Sequence, residues 1–388
     1  MENREQAVKR RLTRRHRASR WFRRISGLAL LLAVAFLMFF FYDIISTGWS
    51  AFRQAEIQVP VSYTEEVMEI PAMAVPEAYE ELVSRGWIRL LPRQMRENPD
   101  LLGTERREWV VASAPVDQYL KGRYATLDDE QRALVDQLQA SDQVRLGFNT
   151  GFFTHGDSKI PEISGIWAAL VGSILVITVT FLISFPIGVM TAIYLHEFAD
   201  DNWFTQAIEV NINNLAAVPS IIFGLLGLAI FINFFGLPRS SALVGGLTLA
   251  LMTLPIIIIS TRAALAAVPD SIREAALGVG TSKWRMVRDH VLPLSLPGIL
   301  TGTIIGIAQA MGETAPLLIV GMIAYIPDAP SSFTEATTVL PAQIFTWAGM
   351  PERAYTSRTA AGIIVLLAVL LTLNATAVYL RRRFERRW

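Results

Sequence analysis

The sequence predicts an all-α polytopic membrane protein with six transmembrane helices and one additional domain outside the membrane. Three observations lead to this prediction. Six long apolar runs carry little or no charge, Lys and Arg are concentrated at both ends of the chain, and one long segment between the first two runs is polar. Hydrophobic residues make up 52% of the 388 residues, which is more apolar surface than a soluble core requires, so lipid is its expected environment.

Each of the six apolar runs has about the length that a transmembrane helix needs. A hydrocarbon core of about 30 Å requires about 20 apolar residues in a helix. The predicted spans are residues 25–42, 165–195, 210–235, 241–260, 294–325 and 360–380. The second run is long enough to tilt or to project beyond the bilayer, and the fifth contains one acidic residue, Glu313.

The basic residues predict that both termini lie in the cytoplasm of a bacterium, with the chain in the inner membrane. Cytoplasmic flanks collect Lys and Arg. Residues 1–24 hold ten of them against two acids, and residues 381–388 hold five against one. The expected domains are a basic cytoplasmic N-terminus (1–24), a first transmembrane helix (25–45), a periplasmic insertion (46–160), a transmembrane core (161–380) and a basic cytoplasmic tail (381–388).

The basic N-terminus is open to three interpretations. A signal peptide would need a small-residue cleavage site after the apolar run, and none follows Phe41. A basic arm that binds nucleic acid is a second alternative. We favour a topology anchor beside anionic lipid, so membrane lipid is an expected partner and nucleic acid is not. The chain has no cysteine, which excludes a disulfide framework and a thiolate metal site.

Residues 46–160, called the inserted domain below, hold eighteen acids against twelve bases and are expected to form a water-exposed α+β or α-rich domain. The expected elements are helices at 77–85 and 127–138 and strands at 58–63 and 109–112. His155 has no neighbouring partner in the sequence, so we expect no catalytic cluster in this domain.

The most specific pattern is the loop 268–293, which the six spans place in the cytoplasm. It is expected to form two short helices around a glycine turn. Ser271 and Glu274 have the spacing of a capping box at the start of the first helix. Gly278 and Gly280 can adopt the left-handed conformation that ends such a helix, and a positive φ is expected at Gly280.

The second short helix of this loop is expected to begin after Thr281 or Ser282, either of which can cap it. Trp284, Met286 and Val287 would provide its apolar contacts. Pro293 is expected to end it, because proline cannot continue the hydrogen bonding of a helix.

The spacing of this loop resembles the EAA loop of permease subunits of bacterial ABC importers, and we call residues 268–293 the EAA-like loop. The matching positions are Glu274, Ala275, Ala276, Gly280, Leu292 and Pro293. The resemblance implies the type I ABC importer permease fold, in which these residues, with Ser271, would couple the chain to a cytoplasmic ATPase. His290 departs from the family pattern, which usually has an aliphatic residue there.

Four further segments resemble PstA-type permeases of phosphate-specific importers, and the resemblance extends from about residue 162 to the C-terminus. The segments are 161–173, 185–195, 218–224 and 312–318. The inserted domain resembles the extra N-terminal region of an extended PstA subgroup. The resemblance implies phosphate as substrate and three partners: a second permease (PstC-like), a dimer of ATP-binding subunits (PstB-like) and a periplasmic phosphate-binding protein (PstS-like).

A translocation pathway is expected near two features of the spans. An ionisable group such as Glu313 is costly inside a membrane, so it normally faces a partner or a wet path. Glu313 and its neighbour Thr314 are therefore pathway candidates, although a salt bridge to a neighbouring subunit is an equal alternative. Gln309 stands where family members often have arginine. Pro219 and Ser220 are candidates because a break in the third span would direct a helix N-terminus at an anion.

The sequence contains no phosphate loop of the Gly-x-x-x-x-Gly-Lys-Ser/Thr type, so ATP hydrolysis is expected on a partner chain. No catalytic residues, metal ligands or cofactors are predicted. Two alternatives remain open: a permease for another oxyanion such as sulfate or molybdate, and a membrane sensor whose inserted domain binds a ligand.

Overall fold

The computed structural model describes residues 2–123 and 125–384. Within this part of the chain, five helices are long and apolar enough to cross a membrane, and a bent pair of helices supplies a sixth span if it is counted as one. This result agrees with the six predicted spans. Residues 385–388 of the predicted basic tail lie outside the described residues, as does Met1.

The first span lies within α1 (Glu2–Gly48), a helix that also includes most of the basic N-terminus. Only 6% of its apolar window is buried inside the chain, so the rest is left for lipid or for another subunit. Its end packs closely on the last helix of the chain. A Cβ added to Gly48 would lie 2.8 Å from the backbone nitrogen of Ala361, so glycine permits this approach.

The inserted domain contains a three-stranded antiparallel sheet with the order β2-β1-β3. Its strands are β1 (Arg53–Ser62), β2 (Glu105–Val111) and β3 (Val144–Phe148). Alternate residues of β1 are buried in the core of the domain, namely Ala55, Ile57, Val59 and Val61. This alternation is the two-residue period of a strand with one buried face. The predicted strands at 58–63 and 109–112 overlap β1 and β2, whereas β3 was not predicted.

Six α-helices complete the described part of the inserted domain. They are α2 (Glu65–Glu69), α3 (Glu77–Glu80), α4 (Arg85–Glu97), α5 (Ala114–Leu120), α6 (Asp129–Ala140) and α7 (Thr150–Thr154). The prediction for α6 is confirmed, and Asp128 and Gln131 form a capping box at its start. The helix predicted at 77–85 is wrong. The chain breaks after α3 because Val83 pairs with Ala112 and the Ser84 hydroxyl then caps α4.

The inserted domain packs directly on the transmembrane core. The Gln54 side chain of β1 donates a 2.6 Å hydrogen bond to the carbonyl oxygen of Glu162, which precedes the second span. At the start of α4, a Cβ added to Gly86 would lie 2.5 Å from the Ile163 side chain. The two parts of the molecule are therefore closely fitted rather than joined by a linker.

The next two spans confirm the predicted apolar runs. The second span is α8 (Trp167–Ile193), which a π-helical turn at Tyr194–Phe198 continues. The third span consists of α9 (Trp203–Ala216) and α10 (Ser220–Gly227), and a π-helical segment at Leu228–Phe234 continues α10. The α9 and α10 pair is bent by 105°. The fourth span is α11 (Ala242–Ala266), which packs along α8. Gly246 lets α11 approach Val179 of α8, in the way that small residues allow membrane helices to pack closely.

The remaining elements are α12 (Asp270–Gly278), α13 (Lys283–Met286), α14 (Leu292–Gly312), α15 (Ala315–Ile319), α16 (Leu340–Ala348) and α17 (Ala354–Phe384). The predicted fifth span, residues 294–325, is not one continuous helix, because α14 ends at Gly312. Helix α16 was not predicted. It is held beside the inserted domain by a 2.9 Å hydrogen bond from the Trp347 indole to the Asp157 carboxylate.

Candidate functional site

The EAA-like loop forms the two short helices that the sequence predicted, α12 and α13, joined by a glycine turn. Gly280 has a φ of +84°, which confirms the expected positive φ, and a Cβ at this position would meet no atom within 4 Å. The restriction at Gly280 is therefore one of backbone conformation rather than of space. Ser282 caps α13 by accepting a 3.5 Å hydrogen bond from the backbone nitrogen of Arg285, which selects it over Thr281.

Two details of the predicted loop are wrong. The capping box of Ser271 and Glu274 does not form, because α12 already begins at Asp270 with Pro269 as its N-cap residue. Ser271 therefore lies inside the first turn, where its hydroxyl cannot cap. Pro293 does not end the second helix. A π-helical turn at Val287–Val291 leads directly into α14, and Leu292 and Pro293 form the first turn of that helix, where proline is tolerated.

The face of the EAA-like loop that packs on the spans is apolar. Ala276, Met286, Val287 and Val291 are buried together with Leu265 and Val268 at the end of α11. The opposite face leaves Glu274 and Ala275 exposed. The exposed fraction is 48% for Leu277, 81% for Val279 and 58% for Trp284, so three large apolar side chains face outward from the loop. Such exposed apolar groups are typical of a surface that binds a protein partner.

Arg273 anchors α12 to the transmembrane core, and sequence reasoning did not single it out. Its guanidinium forms an ion pair with Glu197 at 2.9 Å and donates to the carbonyl oxygens of Leu265 and Val268. Both side chains are largely buried, with 14% of Arg273 and 5% of Glu197 exposed. Because Glu197 follows α8, a single side chain connects the EAA-like loop to the ends of two spans.

The third span is broken at Pro219, as the sequence predicted. Pro219 is the N-cap residue of α10, and Ser220 is the first residue of that helix. Helix α10 packs against α15, and glycine is needed at the contact, since a Cβ on Gly224 would lie 2.7 Å from the Cα of Pro316. The segments 218–224 and 312–318, which were singled out separately, are therefore neighbours in the structure.

Glu313 lies at a helix end and not in the middle of a span. It is the C-cap residue of α14, and with Thr314 it links α14 to α15. Gln309 is exposed on the last turn of α14, one helical turn before Glu313. Among the described residues, the Glu313 carboxylate accepts no hydrogen bond and forms no ion pair. A half-buried carboxylate without a partner in its own chain remains available to a neighbouring subunit or to a wet path.

The groups of His, Asp and Glu in the described residues include no cluster that could hold a metal ion. Comparison with known proteins then identifies the family. Residues 184–388 match the family described as "Binding-protein-dependent transport system inner membrane component". The chain belongs to this family of permeases. Residues 9–78 match a second family, described only as a domain of unknown function.

Curated relatives of the permease support the resemblance that the sequence motifs indicated. This chain is 35% identical over 213 residues to the phosphate transport system permease protein PstA of Yersinia pestis, and the alignment covers 55% of this chain and 71% of the relative. It is 31% identical over 236 residues to PstA 1 of Mycobacterium tuberculosis strain H37Rv, covering 60% and 75%. An inward-facing methionine ABC transporter structure, MetNI, aligns at 18% identity with a TM-score of 0.45, covering 57% of this chain and 98% of that chain.

Proposed function

We propose that this permease is the transmembrane subunit of an ATP-driven importer that carries inorganic phosphate across the inner membrane. The observation that carries the proposal is the 31–35% identity of 213–236 residues of this chain to proteins named PstA, beside the family match over residues 184–388, which contain the EAA-like loop. The permease pairs with a second, PstC-like permease and sits on a dimer of PstB-like ATP-binding subunits. A PstS-like binding protein delivers phosphate from the periplasm. The chain itself contributes no ATP-binding motif.

The EAA-like loop is the element that couples the permease to the ATPase. Exposed Val279 and Trp284, beside Glu274 and Ala275, supply a docking face of the size and character that a partner helix or cleft recognises. The buried apolar face and the Arg273–Glu197 ion pair fix the loop to α8 and α11. Movement of the ATPase then displaces both spans together, because the loop cannot swing independently of them.

The proposed translocation pathway passes the junction between α10 and α15. Pro219 and Ser220 begin α10 at the bend, and Thr314, Glu313 and Gln309 lie at the junction of α14 and α15. A carboxylate repels phosphate, so Glu313 is assigned to orient a cation of the second permease or to gate the path, and not to bind the anion. The groups that interact with phosphate are then the exposed start of α10 and the side-chain amide of Gln309.

The test is radiolabelled uptake in a bacterial strain that lacks its own high-affinity phosphate importer. Expression of the permease with its three partners is expected to restore phosphate uptake, and an ATPase-inactive version of the ATP-binding subunit is expected to abolish it. Excess unlabelled sulfate or molybdate is expected not to compete. Uptake of sulfate or molybdate without uptake of phosphate would mean that the transported substrate is another oxyanion. Ligand-dependent signalling without any uptake would favour a membrane sensor.

A further inference from the structure

A cleft of about 680 Å³ lies between the inserted domain and the start of the last span, apart from the proposed pathway. One wall comes from α4 and α5 of the inserted domain. The other comes from the segment 159–162 before α8 and the segment 351–354 at the start of α17. A volume of this size accommodates a small organic molecule rather than a single ion.

Three cationic side chains line the cleft without a partner. Arg85 and Arg89 come from successive turns of α4, and Lys159 comes from the opposite wall. None of the three forms a hydrogen bond or an ion pair within the described part of the chain. Most other arginines and lysines of the inserted domain are engaged, as Arg145 is with Glu56 and Lys121 with Asp117. Cations brought together from two walls and left unpaired favour an anionic ligand.

Ser113 provides an independent indication of a ligand. It lines the cleft, is only 8% exposed, and its hydroxyl has no hydrogen-bond partner among the described residues. The hydroxyl does not cap α5, although Ser113 immediately precedes that helix. A buried hydroxyl is normally hydrogen-bonded, and this oxygen has almost no accessible surface in its present rotamer, so rotation of the side chain toward the cleft would let a bound group supply the missing partner.

Carboxylates in the same cleft restrict the class of ligand. Glu162 is 9% exposed in the floor, and burial raises the pKa of its carboxyl group. Glu352 also lines the cleft. Carboxyl groups would repel a bare anion but accept hydrogen bonds from hydroxyl groups. The lining therefore suits a molecule that carries one oxyanion group and several hydroxyls, and guanidinium forks match phosphate oxygens in particular.

We propose that this cleft binds a phosphate ester of a small polyol, with its phosphate on Arg85, Arg89 and Lys159 and its hydroxyls near Ser113 and Glu162. The ligand connects the inserted domain to the transmembrane core, because Glu162 belongs to the core and the other four contacts belong to the inserted domain. Two sources share this chemistry: a soluble phosphomonoester, and the headgroup of phosphatidylglycerol beside the start of α17. The proposal does not depend on phosphate import, since binding is measured without ATP or transport.

The test uses the purified complete transporter in nanodiscs of phosphatidylcholine, titrated calorimetrically with glycerol 3-phosphate. Saturable binding is expected, and the double variant Arg85→Gln/Arg89→Gln is expected to weaken it at least about tenfold, since it removes two charge-assisted contacts. Ser113→Ala, which keeps all charges, is expected to weaken binding by a smaller factor. The matched control is Arg93→Gln on the next turn of α4, where the side chain is 74% exposed and paired with Glu97.

A second arm separates the two sources. In nanodiscs that contain phosphatidylglycerol, native mass spectrometry counts the lipids that the complex retains. Retention by the wild type and by Arg93→Gln, but not by the double variant, supports the lipid source even if glycerol 3-phosphate does not bind. The proposal is overturned if neither probe distinguishes the double variant from the wild type. It is also overturned if inorganic phosphate alone binds and the double variant leaves that binding unchanged, since the bound site would then lie elsewhere.

Discussion

Gly280 is the residue whose backbone conformation most restricts substitution in the EAA-like loop. Its φ of +84° lies in the left-handed region, where a side chain costs about 1–2 kcal/mol and a β-branched side chain costs more. Gly280→Val is therefore expected to misdirect α13 and to uncouple the transporter. Phosphate-stimulated ATP hydrolysis should fall while the complex stays abundant in the membrane.

The control for this substitution is Gly278→Val, two residues earlier. Gly278 lies within α12, has no atom within 4 Å of an added Cβ, and does not have a positive φ. The transporter with Gly278→Val should keep most of its phosphate-stimulated ATPase activity. Wild-type uptake by Gly280→Val at normal abundance would remove the loop from the coupling mechanism.

The ion pair between Arg273 and Glu197 gives a second prediction at the residue scale. Glu197→Gln leaves the largely buried Arg273 guanidinium with only the exposed Asp270 carboxylate as a counter-charge. We expect a loss of about 2–3 kcal/mol in the free energy of unfolding, below the full penalty because Asp270 and two carbonyl oxygens still accept hydrogen bonds from Arg273. Thermal unfolding of the solubilised complex and its stimulated ATPase rate measure the effect. Asp270→Asn removes the other carboxylate of Arg273, which is 89% exposed, and should cost less than about 1 kcal/mol. Equal effects of the two variants would contradict the anchoring role.

Local rules explain which loop residues were predictable. The positive φ of Gly280 and the cap at Ser282 depend on neighbours within four positions, so the sequence contains the necessary information. The Ser271 capping box failed because the helix starts two residues earlier, with Pro269 as its N-cap residue. The Arg273–Glu197 pair joins residues 76 positions apart, and no local spacing indicates it.

At the scale of elements, the contact between α10 and α15 depends on a glycine. A Cβ at Gly224 would lie 2.7 Å from the Pro316 Cα and 2.9 Å from its carbonyl oxygen, and backbone atoms cannot rotate away. Gly224→Ala should force the helices apart at a cost of roughly 1–3 kcal/mol and reduce both thermal stability and uptake. Gly306→Ala in α14 is the matched control, because its nearest neighbour would be 3.6 Å away. If the two substitutions have the same effect, close packing at this junction is not required.

Glu313 tests the role of the junction between α14 and α15. Glu313→Gln preserves the shape of the side chain and removes its charge, and no partner in the described chain loses an ion pair. We expect normal insertion and assembly with strongly reduced phosphate uptake. Glu335→Gln serves as the control, since that exposed carboxylate accepts hydrogen bonds from Ser331 in its own loop and forms no ion pair among the described residues. Unchanged uptake by Glu313→Gln would make the residue a bystander, and failure to assemble would indicate a structural salt bridge between subunits.

Hydropathy located the spans but not where their helices break. The break at Pro219 was predictable, because proline lacks the N–H that a helix requires. The end of α14 at Gly312 was not, since the apolar run continues to residue 325 and composition alone does not distinguish a helix from a short helix followed by turns. The π-helical turn before α14 was also missed; Met286 and Val291 beside it are buried, and no local pattern of residue types marks such a turn.

At the scale of the whole molecule, the inserted domain and the membrane core form one packed unit. Trp347 of α16 donates to Asp157, and the Tyr355 hydroxyl of α17 donates to the carbonyl oxygen of Ser158 at 2.6 Å. Charge composition predicted that residues 46–160 form a separate folded segment. It did not predict this packing, because the apolar contacts and hydrogen bonds that form it join residues far apart in the chain, as Phe152 is joined to Leu340 and Tyr355 in one buried cluster. A domain held in this way moves with the start of the last span.

The absence of cysteine makes the orientation of this unit directly measurable. Asp117 is unsuitable as a reporter position, because it is largely buried beside Lys121 and accepts a hydrogen bond from the Ala55 nitrogen. Asp129 at the start of α6 has a fully exposed side chain, so a cysteine there should react in intact spheroplasts with a membrane-impermeant maleimide. A cysteine at Val279 in the EAA-like loop, 81% exposed, should react only after lysis. The two reporters lie on opposite sides of the membrane if the basic flanks set the topology. Labelling of Asp129→Cys only after lysis, or of Val279→Cys in intact cells, would show the opposite orientation. The EAA-like loop would then be out of reach of any cytoplasmic ATPase.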